Sequence, residues 1–249
     1  MIKINSLKEL EELNKSNYDK VIYVSLYNQQ VKTILPIIFE LVNLQELDLH
    51  NNQLTSISPK IGNLINLKKL YLSYNQLTII PETIGNLVNL HTLFIEENQL
   101  IMIPETIGNL CNLQYLYLYK NQLTTIPDTI GNLIKLIDLI LSYNNLISLP
   151  VTIGNLINIV GFELGNNKLI KLPSSIKNIK HTFCINESSY NNLNNLSYKC
   201  EYLQIYKLNT NITNLPPFLK EIRLYDPIVK DIKVPYGCSL YIDDIKIIN

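Results

Sequence analysis

The first candidates for chemistry are an aspartate, a histidine and a serine in the N-terminal half of the chain. Asp48 and His50 are two residues apart, so on a β-strand their side chains would share one face. Ser73 follows His50 by 23 residues, a spacing that recurs along the chain and would make the two neighbours. A serine hydrolase also needs an oxyanion hole and a carboxylate aimed at the imidazole. Because the ladder of a parallel sheet leaves no free backbone N–H groups, we predict a protein that is not an enzyme. The set of Ser73, His50 and Asp48 remains a serine hydrolase-like alternative.

Aromatic residues recur at the same spacing. Tyr71, Phe94 and Tyr117 occupy one position of three consecutive units, and further tyrosines flank them. Exposed tyrosine supplies a large contact area at a small entropic cost, so a cluster of rings is typical of a protein-binding surface. The predicted partner-binding residues are Tyr71, Tyr74, Phe94, Glu96, Glu97, Tyr115, Tyr117, Tyr119, Lys120 and Tyr143. The alternative interpretation is that the rings only pack against one another.

The remaining motifs indicate no cofactor, no metal and no nucleic acid. His50, His91 and His181 are isolated, and no His or Cys spacing matches a zinc site. Neither GxxxxGKS/T nor GxGxxG occurs, so the sequence offers no phosphate-binding loop. The 21 basic and 21 acidic residues balance to a net charge of zero. That balance removes the usual electrostatic attraction to nucleic acid or to an anionic membrane.

A repeat of 23 residues must position these side chains. Units begin at residues 44, 67, 90, 113, 136 and 159, and a weaker unit begins at Val21. The unit from residue 67 reads LKKLYLSYNQLTIIPETIGNLVN, with leucine at positions one, four and six and asparagine at position nine. On a strand, Leu70 and Leu72 would point to one face, while positions three, five and seven point to the other. One such strand cannot bury its apolar face alone, so successive units are predicted to stack into a parallel sheet around a shared core.

Other columns of the repeat carry structural predictions. The asparagines at position nine are Asn52, Asn75, Asn98, Asn121, Asn144 and Asn167. A carboxamide both donates and accepts hydrogen bonds, so we predict that this asparagine ladder holds the turns. In the return half of the unit, Ile84 and Leu87 are predicted to point inward, and Gly85 to allow a tight or left-handed step. Cys111 occupies a position that is aliphatic in the other units, which predicts a buried side chain.

The LxxLxLxxN pattern and the IPETIGNL block together resemble a known family of repeats. They look like the intracellular leucine-rich repeats of the Ras-suppressor and plant Ras-group type, and are similar to repeats encoded by amoebae and giant viruses. The resemblance implies an α/β solenoid, a leucine-rich-repeat horseshoe with a parallel β-sheet on the concave face. It also implies a protein partner held in that concave face, with a small-GTPase pathway as one source of the partner. The partner's identity stays open, and a structural or assembly role through the convex side or the ends is the alternative.

The two ends of the chain depart from the repeat. Ser6 and Glu9 form a capping-box pattern ahead of leucines at helical spacing, which predicts a short helical N-terminal cap within residues 1–19. Regular repeats are predicted over residues 20–181. Strand patterns then continue at shorter spacing over residues 182–249, which predicts degenerate shorter repeats. A separate C-terminal cap, with a loop over residues 191–198, is the alternative.

The compartment is predicted from the N-terminal residues, the apolar stretches and the cysteines. The N-terminal residues lack the apolar run of a signal peptide, and no stretch is long and apolar enough to cross a bilayer. The four cysteines show no CxxC pair and no flanking framework like that of secreted repeat proteins. We therefore predict a cytoplasmic or intracellular protein without membrane insertion.

Overall fold

A single sheet runs through the part of the chain that the computed structural model describes, residues 1–169, 172–179, 182–186, 202–206, 215, 219–225, 227 and 232–248. Its 13 strands follow one another in sequence order. They are β1 (Ile2–Ile4), β2 (Val21–Ser25), β3 (Glu46–Asp48), β4 (Lys69–Tyr71), β5 (Thr92–Phe94), β6 (Tyr115–Tyr117), β7 (Asp138–Ile140), β8 (Gly161–Glu163), β9 (Thr182–Asn186), β10 (Tyr202–Tyr206), β11 (Glu221–Tyr225), β12 (Ser239–Ile242) and β13 (Ile245–Ile248). Neighbours are parallel from β1 to β12, and β13 runs antiparallel to β12. The predicted solenoid horseshoe is confirmed.

The register of the sheet repeats the spacing of the sequence. Leu70 of β4 pairs with Leu93 of β5, and Leu93 pairs with Leu116 of β6. These leucines are fully buried, as are their neighbours at positions one and six. They join one continuous core that extends along the whole stack of coils. Each coil therefore stabilises the next through both a backbone ladder and shared apolar contacts.

The return legs contain short 3-10 helices. These helices are Pro36–Glu40, Pro59–Asn63, Glu82–Asn86, Glu105–Asn109, Asp128–Asn132, Val151–Asn155 and Ser174–Asn178. One further 3-10 helix, Lys15–Lys20, lies ahead of β2. Ile84 and Leu87 are fully buried, as predicted. Pro81 precedes its helix as the N-cap, whereas Pro59 is the first helical residue and Ser58 caps it by accepting a hydrogen bond from Lys60 N at 3.3 Å.

The glycine of the return leg is required by close packing. A Cβ on Gly85 would lie 2.6 Å from Thr106 O and 2.7 Å from Thr106 Cβ, so only glycine lets adjacent coils approach. Its backbone is not in the left-handed region, and the prediction of a left-handed step there is wrong. The left-handed residues instead follow the strands at position eight, where Tyr74 and Glu97 both have φ of 54°. The chain reverses direction there, directly before the buried asparagine.

The prediction that Cys111 is buried is also wrong. Cys111 is exposed, and the aliphatic residues at its position in other coils are between 46% and 55% exposed. Together they form an aliphatic row, which consists of Val42, Ile65, Val88, Cys111, Ile134 and Ile157. The reason is the turn that follows the inward-pointing leucine. The carbonyl of Ile65 accepts a hydrogen bond from Asn89 Nδ2 at 2.9 Å, so the backbone of this turn is tied to the next coil while the Ile65 side chain is exposed.

Both ends of the described chain take part in the sheet. The helix α1 (Leu7–Glu11) begins at Ser6, whose hydroxyl accepts a hydrogen bond from Glu9 N at 3.2 Å, and Leu10 enters the core. The strand β1 lies ahead of this helix and pairs with β2, which the sequence did not predict. At the other end β9–β12 continue the parallel ladder. The domain boundaries at residues 19 and 181 stay predictions, and the predicted loop over residues 191–198 lies outside the described residues.

Candidate functional site

An aromatic cluster lies at the centre of the concave face. Phe94 stacks on Tyr117, with ring centroids 4.2 Å apart and planes inclined by 7°. Tyr71 meets Phe94 edge to face, with centroids 5.4 Å apart. All three rings are half-buried, and none belongs to the apolar core behind the sheet. We call Tyr71, Phe94 and Tyr117 the concave cluster.

A second set of rings flanks the concave cluster at positions seven and eight. His50 stacks on Tyr74 at 5.1 Å, and Tyr119 meets Tyr143 edge to face at 5.2 Å. Tyr74 and Tyr143 remain 49% and 46% exposed despite these contacts. Tyr115 is half-buried at position three. The contacts between the rings thus leave much of the aromatic surface exposed, so packing of the rings against one another does not account for all of it.

The residues of the hydrolase alternative do not form a catalytic triad. Asp48 Oδ1 accepts a hydrogen bond from the backbone N of His50 at 3.0 Å, not from its imidazole. Asp48 Oδ2 accepts from the Ser25 hydroxyl at 3.0 Å. Ser73 is fully buried, and within the described chain its Oγ has no hydrogen-bond partner. No chain of hydrogen bonds therefore links carboxylate, imidazole and hydroxyl, and such a chain is what nucleophile activation needs.

Charge is distributed unevenly on this face. Positions three, five, seven and eight of β2–β8 and the turns after them carry two lysines, Lys69 and Lys120. The carboxylates at these positions are Glu46, Asp48, Glu96, Glu97, Asp138 and Glu163. Six carboxylates against two lysines give a formal charge of −4, while the whole chain has a charge of zero. Lys69 is 3.3 Å from Glu46, and Lys120 is 2.6 Å from Glu97.

Burial and neighbouring charge change the acidity of the cluster tyrosines. Burial raises the pKa of Tyr117. The negative charge of Asp138 raises this pKa further, as does the hydrogen bond that Asp138 Oδ2 accepts from the Tyr117 hydroxyl at 3.4 Å. Burial also raises the pKa of Tyr71, while Lys69 opposes that rise. The pKa of Lys120 is raised, first by its hydrogen bond to Glu97. The tyrosines are therefore neutral hydrogen-bonding groups at physiological pH, and Lys120 is a paired cation.

Glu96 differs from the other concave carboxylates. It is half-buried at position seven, and its Oε2 is buried with no hydrogen-bond partner among the residues described. The same position in the preceding coil is Ser73. Tyr74 N donates to Glu96 O at 2.9 Å, so the two coils are in register and Ser73 and Glu96 are neighbours. Two polar groups without partners therefore lie side by side, next to the concave cluster.

The asparagine column holds the coils together from inside. Asn98 Nδ2 donates to Leu72 O at 3.0 Å and Ile95 O at 3.1 Å, and Asn98 Oδ1 accepts from Leu77 N at 2.9 Å. The other five asparagines of the column make equivalent bonds and are buried to the same degree. These side chains connect one coil to the next, which leaves them unable to contact a ligand.

Another polar cluster, which the sequence did not predict, lies on β11, β12 and the turn between β12 and β13. Arg223 Nε donates to Glu221 Oε1 at 2.6 Å, and Arg223 Nη1 donates to Asp244 Oδ1 at 2.9 Å. Its guanidinium also lies over the Tyr241 ring, 4.7 Å from the centroid. These residues are brought together by the short spacing of the last strands, and only the strand register could have revealed them. Because the guanidinium is already paired twice, we interpret the cluster as structural.

The described part of the chain offers neither a metal-binding cluster nor a membrane-spanning helix. Within the described ranges, no three His, Cys, Asp or Glu residues come together in a way that could hold a metal ion. His181 lies outside those ranges, and His91 is an isolated residue at position two. None of the helices in the described part of the chain has the length and apolarity needed to span a bilayer.

Comparison with known proteins gives the same architecture. The family model described as a leucine-rich repeat region matches residues 24–144. The fold is similar to that of a leucine-rich-repeat protein from Leptospira interrogans, at 28% identity and a TM-score of 0.65, over 92% of this chain and 68% of that one. No curated protein matches the sequence.

Two plant receptors share the fold. The ectodomain of the Arabidopsis thaliana receptor kinase GASSHO1/SCHENGEN3, in complex with CASPARIAN STRIP INTEGRITY FACTOR 2, has 26% identity and a TM-score of 0.57 over 93% of this chain and 36% of that one. The plant peptide hormone receptor RGFR1, in complex with RGF2, has 21% identity and a TM-score of 0.64 over 97% of this chain and 45% of that one. This chain thus spans less than half of either receptor chain. Residues 24–144 match the model of a leucine-rich repeat region, and the chain folds as a leucine-rich-repeat solenoid.

Proposed function

We propose that this chain is a non-catalytic protein-interaction module that holds a protein partner against its concave face. The observation that carries the proposal is the concave cluster. Its three rings are packed against one another but remain partly exposed, and they lie on the face that does not build the core. Aromatic side chains of this kind supply most of the binding energy in many protein interfaces.

The comparisons support an interaction role. Two of the structures with this fold are plant receptors solved in complex with a second molecule. Leucine-rich repeats of the type that the sequence resembles generally hold protein partners in the concave face. The partner-binding set proposed here remains Tyr71, Tyr74, Phe94, Glu96, Glu97, Tyr115, Tyr117, Tyr119, Lys120 and Tyr143.

The test is a triple substitution of the concave cluster, Tyr71→Ala, Phe94→Ala and Tyr117→Ala, compared with the unchanged chain. Proteins captured from a cell lysate are crosslinked and quantified by mass spectrometry. Partners bound in the concave face should be lost from the triple variant. A matched variant replaces three members of the aliphatic row, Ile65, Val88 and Ile134, by alanine and should retain those partners. Capture that survives the concave substitutions contradicts the proposal.

The resemblance leads to two finer proposals. The resemblance to intracellular repeats of the Ras-suppressor type points to a partner from a small-GTPase pathway and to an intracellular site of action. Crosslinked peptides from a small GTPase or its regulators would support the first. Fluorescence microscopy of the tagged chain in its own host would test the second.

A second candidate function is assembly through the convex side. The aliphatic row favours it, because six apolar side chains outside the concave sheet follow one another from coil to coil and are exposed. If the chain self-associates there, replacing Ile65 and Ile134 by lysine should reduce the mass measured by light scattering in solution. An unchanged mass would rule out this route to assembly.

A further inference from the structure

We propose that the partner inserts a positively charged side chain, lysine or arginine, beside Glu96 at the centre of the concave face. This inference rests on the proposed function, because it names the chemistry of the segment that the concave face binds. Three independent observations lead to it: the unpartnered polar atoms, the surplus of negative charge and the arrangement of the rings.

The polar atoms lack the groups that would normally satisfy them. Glu96 Oε2 and Ser73 Oγ are buried and, in the part of the chain described, neither has a hydrogen-bond partner. A buried polar group without a partner is costly, and a carboxylate more so than a hydroxyl. An ammonium or guanidinium group carries only donors, so it could satisfy the half-buried Glu96 carboxylate, whereas the fully buried Ser73 Oγ stays out of its reach.

The protein's own cations on this face are already occupied. Lys120 lies in the coil that follows Glu96, but its ammonium is 2.6 Å from Glu97 Oε1. Lys69 is 3.3 Å from Glu46 Oε2. The face therefore keeps a formal charge of −4 in a molecule whose net charge is zero, and this charge attracts and orients a basic segment.

The rings supply the rest of a cation site. Phe94 is two residues before Glu96 on the same face, and it stacks on Tyr117 from the next coil. Tyr119 lies at the same position as Glu96 in that next coil, one strand spacing of about 4.8 Å away. A cation over the face of such rings is attracted by their negative π surface. A carboxylate flanked by aromatic rings thus selects a cationic side chain over an apolar or acidic one.

The experiment uses a display library of random peptides selected on the full chain. Peptides that bind should share a lysine or arginine at one fixed position. Their Kd should rise about tenfold or more with Glu96→Gln, which removes the charge but keeps the size of the side chain. Selection on Glu96→Lys should enrich acidic peptides instead. Glu105→Gln, which removes an exposed carboxylate from the return leg of the same coil, should leave the Kd unchanged.

The outcomes separate this inference from the proposed function. The cation site alone is overturned if the selected peptides bind Glu96→Gln as tightly as the unchanged chain. In that case the same peptides still lose binding to the variant in which Tyr71, Phe94 and Tyr117 are replaced. A selected set without a shared basic residue also overturns the cation site alone. Peptides that still bind the triple variant, or a library that yields no binder, overturn recognition of a peptide segment by the concave face. Thermal unfolding of each variant verifies that it is folded.

Discussion

At the scale of the residue, the asparagine column makes the sharpest stability prediction. Asn98→Ala removes the donor to Leu72 O and Ile95 O and the acceptor for Leu77 N. These backbone groups are buried and would lose a partner that water cannot replace. We expect the free energy of unfolding to fall by at least about 2 kcal/mol, measured by urea denaturation. Gln99→Ala changes an exposed neighbour and should cost less than about 0.5 kcal/mol. Equal losses for the two variants would contradict a structural role of the column.

The described cysteines give a prediction on pH and reactivity. Burial, with a smaller contribution from Glu221, raises the pKa of the Cys238 thiol to about 11. Because the thiolate is the reactive form, Cys238 should stay protonated and unreactive at about pH 8. Cys111 is exposed and should react first. A short treatment of the native protein with iodoacetamide, followed by peptide mass spectrometry, measures both. Urea-unfolded protein should label at both positions, and equal labelling of the native protein would refute the difference.

The site residues show what a sequence can and cannot reveal at this scale. Tyr71, Phe94 and Tyr117 could be assigned to one face because side chains alternate along a strand. The exposure of the aliphatic row could not be assigned, because the return leg has no fixed alternation and Cys111 lies in a turn. The missing partner of Glu96 depends on distances to neighbouring side chains, which no sequence pattern contains.

At the scale of the element, the glycine of the return leg controls how closely coils stack. A Cβ on Gly108 would lie 2.6 Å from both Thr129 Cβ and Thr129 O, and the backbone oxygen cannot move aside easily. Gly108→Ala should therefore lower the free energy of unfolding by about 1–3 kcal/mol through overpacking. Asn109→Ala, at the next and exposed position of the same 3-10 helix, should change it by less than about 0.5 kcal/mol. Urea denaturation compares the two. A Gly108→Ala variant as stable as the unchanged chain would show that the coils can shift apart freely.

The strands and the return legs differ in how well the sequence predicts them. The strands β3–β8 follow the leucine pattern, because each buried leucine fixes both the face and the register. The three-residue strand β1 was not predicted, since Ile2 and Ile4 alone do not distinguish a strand from the start of a loop. Gly85 was predicted to allow a tight or left-handed step because glycine often does, whereas its contacts with Thr106 show that the space between coils decides the residue.

At the scale of the whole molecule, charge adds up over an entire face, whereas stacking acts only between neighbouring coils. The net charge of zero suggested no electrostatic preference, but the sum over the chain hides the −4 of the concave face. Charge is separated in this way because the solenoid brings one face of every strand to the same side. Most basic residues occupy other positions of the repeat and therefore lie elsewhere. The proposed recognition therefore depends on the whole face, whereas stability depends on each contact between neighbouring coils.

The repeat makes a prediction that concerns the molecule as a whole. Deleting residues 90–112 removes one complete coil and joins Asn89 to Leu113, so that β4 can pair with β6 in the same register. The shortened chain should fold, with a similar circular dichroism spectrum per residue and a lower stability, because one contact between coils is lost. It should also lose the ligands of the concave face, since Phe94 and Glu96 are absent. Deleting residues 90–101 removes half a coil, exposes the core at the junction and should prevent folding. If the half-coil deletion folds as well as the full-coil deletion, the coil is not the unit on which this fold is built.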